Sequence, residues 1–226
     1  ICALVGVLVE LVAYRPVRRK GTSMSALITA IAMSLLLENL AQAIPAMGPN
    51  PRVISDEIFS TAPISIGGVS VNMAAVVTII IAAIVMAALQ LFVQKTKLGR
   101  AMRAVSENKE ASTLVGINVN RTIVTTFAIG SGLAAVAALM YCAQYHTVTT
   151  TMGSMLGLKA FVAAVMGGIG LIPGAMLGGI VVGIIEALVT AYISSSLANA
   201  VVFLILIVML LVKPAGILGK NVGEKV

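Results

Sequence analysis

The chain has 226 residues, 59% of them hydrophobic and 10% charged, with a mean hydropathy of +1.08 and a formal net charge of +7. Soluble domains carry about 25% charged and 45–50% apolar residues, so a soluble globular enzyme is excluded, as is a disordered chain, whose mark is low hydrophobicity. The basic residues lie between apolar runs, so orientation in a membrane explains the charge better than nucleic-acid binding does. A spanning helix needs about 20 apolar residues. The length therefore predicts an all-α polytopic membrane protein with about six to seven transmembrane or re-entrant helices.

Apolar runs occur at 1–13, 24–44, 73–93, 123–143, 158–172, 174–193 and 197–212. The first is apolar apart from Glu10, and the basic cluster follows it, the wrong order for a signal peptide. Thirteen residues rise only about 20 Å as a helix, short of a hydrocarbon core of about 30 Å. This run is expected to be the tail of a helix whose start is missing. Loop 14–23 holds Arg15, Arg18, Arg19 and Lys20; loop 94–122 holds Lys95, Lys97, Arg100, Arg103, Lys109 and Arg121; the tail from 213 holds Lys213, Lys220 and Lys225. Together these carry 13 of the 15 basic residues, leaving Arg52 and Lys159 to the other side. Basic loops face the cytoplasm, so both loops and the C-terminus are expected there, with 45–72 and 144–157 external.

The external loop 45–72 contains Pro45, Pro49, Pro51 and Pro63, which forbid one continuous helix. Its end, Ile64-Ser65-Ile66-Gly67-Gly68-Val69-Ser70-Val71, alternates on both sides of Gly-Gly and predicts a small β-hairpin. The apolar stretch 158–193 is broken by Gly167-Gly168-Ile169-Gly170-Leu171-Ile172-Pro173-Gly174, with no charge at the break. Its first arm is a short span or a re-entrant half-helix, and short Gly/Pro-interrupted segments point to a transport pathway. The second arm carries two GxxxG spacings, Gly174/Gly178 and Gly179/Gly183, on different faces, where small residues let helices approach closely in lipid.

No catalytic constellation is present. The single histidine, His146, lies in an external loop without a partner at metal spacing, Cys2 and Cys142 have no CxxC arrangement, and no P-loop occurs, so no cofactor is implied. Glu10, Glu38 and Glu186 fall within apolar runs, where ionisable groups are costly and face the bundle interior. Glu10 is five residues from Arg15 and reads as interfacial. Glu38 reads either as an interhelical hydrogen-bonding group or as a pathway residue, and so does Glu186, which shares a face with Gly179 and Gly183. Within loop 94–122, Ser106 or Asn108 can cap a short helix that Gly116 ends. Ala111, Leu114 and Val115 give that helix a small apolar stripe, suited to docking in the groove of a soluble partner.

At this segment a family resemblance emerges. Glu110-Ala111-Ser112-x-x-x-Gly116 resembles the EAA-x-x-x-G loop of ABC-importer membrane subunits, with Ser112 in place of alanine. The wider run from Gly99 to Arg121 is similar to the branched-chain amino-acid permease family, the LivH type. So are Ala13-Tyr14-Arg15-Pro16-Val17-Arg18, Gly157-Leu158-Lys159-Ala160-Phe161, Ala163 to Gly170, Ile172 to Gly179, and Lys213 to Gly219. Leu11 departs from the family, where a basic residue often follows the glutamate, and the family carries further N-terminal helices. The resemblance implies an ABC-importer permease fold over 1–226 as a single transmembrane domain, with 94–122 as the cytoplasmic coupling loop. It further implies two P-loop ATPase subunits docked on that loop, a second permease subunit, and an external binding protein delivering branched-chain amino acids, in a bacterial cytoplasmic membrane. The coupling residues it implies are Glu110, Ala111 and Gly116, with Arg100 and Arg103 nearby. Candidates for the pathway or for helix packing are Glu38, Glu186, Gly168, Gly170, Pro173, Gly174, Gly179 and Gly183. A related permease for urea, amides or sugars is the alternative; a self-sufficient secondary transporter or channel is less well supported, because charge-coupled carriers need more intramembrane ionisable groups than this chain has.

Overall fold

A computed structural model describes residues 1–20, 23–44, 48, 50–54, 64–66, 69–168, 170–213 and 216–219. Helix α1 (Cys2–Val9) runs through a π-helical turn (Glu10–Tyr14) into α2 (Arg15–Lys20), and α3 (Ser23–Ala43) follows. Then come β1 (Arg52–Val53), β2 (Ile64–Ile66), β3 (Val69–Val71), α4 (Met73–Lys95), α5 (Lys97–Glu107), α6 (Lys109–Leu114), α7 (Val119–Tyr145) and β4 (Thr147–Val148). The chain ends with α8 (Met152–Gly167), α9 (Ile172–Tyr192) and α10 (Ser195–Val212). Each apolar run has become a helix, as it must in lipid, where unpaired backbone groups have no water to turn to. Among the described residues, α4, α7, α9 and α10 are long and apolar enough to cross a membrane, while Ile28–Ala43 and α8 are shorter. Polar side chains inside α7 satisfy themselves locally: Thr122, Thr125 and Thr126 donate to the carbonyls four residues back.

The expected hairpin is present as β2 paired antiparallel with β3, Ile64 opposite Val71 and Ile66 opposite Val69; its Gly67-Gly68 turn lies outside the described residues, as do Pro45, Pro49, Pro63, Ile169 and the tail from Lys220. A second pairing had no signal in the sequence. β1 pairs with β4, Arg52 opposite Val148 and Val53 opposite Thr147, and the Ile54 N–H donates to the His146 carbonyl at 2.9 Å. This ties together the two loops that charge counting puts on one side. His146 reaches that bond from a left-handed conformation at the end of α7, φ 52°.

The chain divides into two compact units, Ile1–Thr151 and Met152–Val226. In the first, α1 packs on α7, with Tyr14 and Phe127 ring centroids 4.9 Å apart. A cavity of about 460 Å³ between α1, α3 and α7 is lined mainly by small and aliphatic side chains, with Tyr14, Ser34 and Ser131 supplying hydroxyls. In the second unit, α8, α9 and α10 form a bundle around Val162, Ala163, Met166, Val182 and Val202, with Phe203, Leu206 and Met209 against them. α8 begins six residues before the expected run and stops at Gly167, giving it a length of about 24 Å.

The break between α8 and α9 is a turn in which Gly168 and Gly170 both take positive φ. The Leu171 N–H donates to the Gly168 carbonyl, and Pro173 sits in the first turn of α9, where its missing N–H costs nothing. The last carbonyls of α8 find partners far along the chain. The Ile217 N–H donates to Met166 O at 2.7 Å and the Leu218 N–H to Gly167 O at 3.3 Å, while Lys213 Nζ donates to Ile217 O. Gly216, at φ +83°, lies so close to the Gly168 backbone that a side chain there would collide with it.

Candidate functional site

Thr96 joins α4 to α5. Its hydroxyl donates to Phe92 O, ending α4, and accepts from the Gly99 N–H, opening α5. Arg100 and Arg103 are exposed on α5, and Arg103 reaches back to Gln94 O at 3.3 Å. Of the two candidate caps for the next helix, Asn108 is the one used: its Oδ1 accepts from the Glu110 and Ala111 N–H groups at 2.9 and 3.0 Å. At the other end of α6 the Ile117 N–H donates to Ser112 O and the Gly116 N–H to Thr113 O, a Schellman closure with Gly116 at φ +85°. A Cβ at that φ costs roughly 1–2 kcal/mol, which accounts for glycine at this position. Asn118 then caps α7.

This double capping holds a helix of six residues that could not persist on propensity alone. Ser112 is buried and donates to Asn108 O at 2.7 Å, so its hydroxyl is satisfied where the family motif has alanine. The opposite face points outward: Glu110 and Ala111 are exposed, Leu114 is 89% exposed and Val115 81%. Positions 111, 114 and 115 share one face at i, i+3 and i+4. The result is a rigidly held apolar step with an acidic residue beside it.

The intramembrane candidates divide by environment. Glu38 is half-buried on α3. Glu186 on α9 accepts from Lys159 Nζ of α8 at 2.6 Å, the side chains being 34% and 26% exposed. Sequence reasoning assigned Lys159 to the sparse basic count of the external side and missed this pair. The signal was available in the lone lysine and lone glutamate of two adjacent apolar runs. Glu10 is fully buried and bound to Arg18 Nη2 at 2.6 Å, so a residue eight positions on supplies the cation that is missing at Leu11.

The glycines divide as well. A methyl group on Gly174 would strike the Gly167 carbonyl, and one on Gly178 the Ala163 carbonyl, so this face of α9 carries the contact with α8. Gly179 has only an ordinary contact with Ala163, and nothing lies within 4 Å of a Cβ on Gly183. Among the described residues no group of three or more His, Cys, Asp or Glu side chains could hold a metal ion.

Residues 1–212 match the family model for the branched-chain amino acid transport system permease component. The chain is 39% identical to the high-affinity branched-chain amino acid transport system permease protein BraD of Pseudomonas aeruginosa, over 98% of this chain and 72% of that protein. It is 41% identical to the corresponding protein LivH of Escherichia coli and 40% identical to LivH of Salmonella typhimurium, in both cases over 96% of this chain and 71% of the relative. No solved structure matches it. With its apolar helices and its match over nearly the whole length, the chain belongs to the branched-chain amino acid permease family, the membrane-spanning components of ABC importers.

Proposed function

We propose that this permease subunit moves branched-chain amino acids into the cytoplasm, energised by two separate P-loop ATPase subunits that dock on α6. The observation that carries the docking role is the doubly capped helix presenting Leu114 and Val115 outward. Exposed apolar side chains on a rigid element suit insertion into a complementary groove, and Glu110, Ala111 and Gly116 define its position while Arg100 and Arg103 supply charge at its rim. The basic loops and the C-terminus face the cytoplasm, and the loops joined by β1 and β4 face outward, where a binding protein delivers substrate. A second permease subunit, identical or related, completes the path. When the ATPases close on ATP, α6 moves with them and the path switches from inward- to outward-facing.

Co-purification tests this reading. A tagged permease extracted in mild detergent is expected to bring a P-loop ATPase at about one per permease, and Glu110→Lys or Gly116→Pro to abolish that association while the chain still inserts. Docking retained in both variants would sink the coupling role. A titration of the cognate binding protein addresses the substrate: leucine failing to bind would remove the branched-chain assignment and favour the urea, amide or sugar alternative.

A further inference from the structure

We propose that the Lys159–Glu186 pair is the substrate-recognition site for the charged end of the transported amino acid, Lys159 taking its carboxylate and Glu186 its ammonium group. The inference rests on the amino-acid importer reading and goes on to say which atoms of the substrate the permease holds.

Lys159 and Glu186 are the sole charged residues of α8 and α9, and α10 has none. Both lie well inside their helices. Lys159 is about 10 Å of helix rise from Met152 and about 12 Å from Gly167, and Glu186 is about 9 Å from Tyr192. Charges at that depth are expensive and mark pathways more often than packing. Packing between the two helices is already provided elsewhere, by the backbone approach of Gly174 and Gly178 to Gly167 and Ala163. The pair is also open: a quarter to a third of each side chain is accessible, and the Gly183 position one turn before Glu186 has nothing within 4 Å.

The chemistry fits a zwitterion. At rest the ammonium and the carboxylate neutralise each other across 2.6 Å. An amino acid brings the same two charges in the opposite sense. On entry its carboxylate accepts from Lys159 Nζ and its ammonium donates to Glu186, so one ion pair is exchanged for two and the net charge at membrane depth stays zero. A singly charged ligand would leave one pole uncompensated, and a sugar or urea could not replace the charges it displaces. The aliphatic side chain then lies along the apolar surface of α8, where Met155, one turn before Lys159, is exposed.

Initial rates of radiolabelled leucine uptake test this in cells lacking their own leucine system and supplied with the permease as its gene encodes it, its ATPases and its binding protein. Lys159→Met/Glu186→Met removes both charges while filling their volume, a change that generally keeps stability. Uptake per permease is expected to fall at least about tenfold with ATPase co-purification unchanged, the loss that follows from removing a charge-assisted hydrogen bond to substrate. Lys159→Glu/Glu186→Lys keeps a pair but reverses its poles, and is expected to be equally inactive. Uptake within about twofold of the parent in either double variant would overturn the proposal and leave a structural ion pair. Should both variants fail to accumulate, leucine binding to the purified parent permease decides. 4-Methylpentanoate, which lacks the ammonium, and 3-methylbutylamine, which lacks the carboxylate, are expected to bind at least about tenfold more weakly; binding as tight as leucine's would overturn the proposal. A parent complex without ATP-dependent leucine uptake would instead refute the importer reading.

Discussion

Glu10 illustrates how one residue's cost is set by its partner. With its side chain fully buried, its charge is balanced by Arg18 at 2.6 Å, which also reaches Asn120 Oδ1 at 3.4 Å. Removing one member of a buried pair strands the other, at a cost of about 3–5 kcal/mol, whereas replacing both with apolar groups costs far less. Arg18→Met is therefore expected to lower the detergent melting temperature sharply, and Glu10→Leu/Arg18→Met to recover most of the loss. A double variant as unstable as the single one would show that the pair is not the cause. The sequence made Glu10 visible as an apolar-run carboxylate, but not its partner. The cation sits eight residues on, beyond ordinary helix-neighbour spacing, and it comes within reach across the π-helical turn at Glu10–Tyr14.

At the scale of elements, α9 separates two readings that look alike as text. Gly174/Gly178 and Gly179/Gly183 have the same spacing, yet only the first pair meets backbone. In lipid no hydrophobic force drives helices together, so such contact rests on close van der Waals approach. Gly178→Val is expected to prevent α8 and α9 from seating and to abolish stable extraction of the protein. Gly183→Ala should change stability by no more than about 1 kcal/mol, the ordinary propensity difference. Size-exclusion profiles of the two extracted variants compare them directly; a Gly178→Val profile like the parent's would contradict the packing described. In α6, Asn108→Ala removes the acceptor for two N–H groups and is expected to cost about 1 kcal/mol, with ATPase docking weakened in a pull-down. The helices were legible because an apolar run in a membrane has one backbone solution. The face each helix turns to its neighbour was not, since spacing alone fixes which residues share a face but not what that face meets. The two-residue strands β1 and β4 are too short to alternate, so their pairing left no mark in the sequence.

For the molecule as a whole, loops that charge counting groups on one side are those found touching. β1 and β4 join the 45–72 and 144–157 loops, and Arg18 meets Asn120 between the two basic ones. Which side is cytoplasmic is open to direct test: in a cysteine-free background, Leu114→Cys is expected to react with a membrane-impermeant maleimide only in inverted vesicles, and Arg52→Cys in intact spheroplasts. The reverse pattern would invert the topology.

The C-terminal segment has a bearing on how the chain is made. The carbonyls of Met166 and Gly167 are satisfied by N–H groups of Ile217 and Leu218, about 50 residues downstream. At roughly 5–20 residues per second of synthesis, the end of α8 waits several seconds, through the emergence of α9 and α10, before its final partners leave the ribosome. A premature stop just after α10 would thus leave every helix intact in sequence, yet would unfasten one that was inserted long before, so newborn chains of this family should be most vulnerable to membrane proteases in that interval.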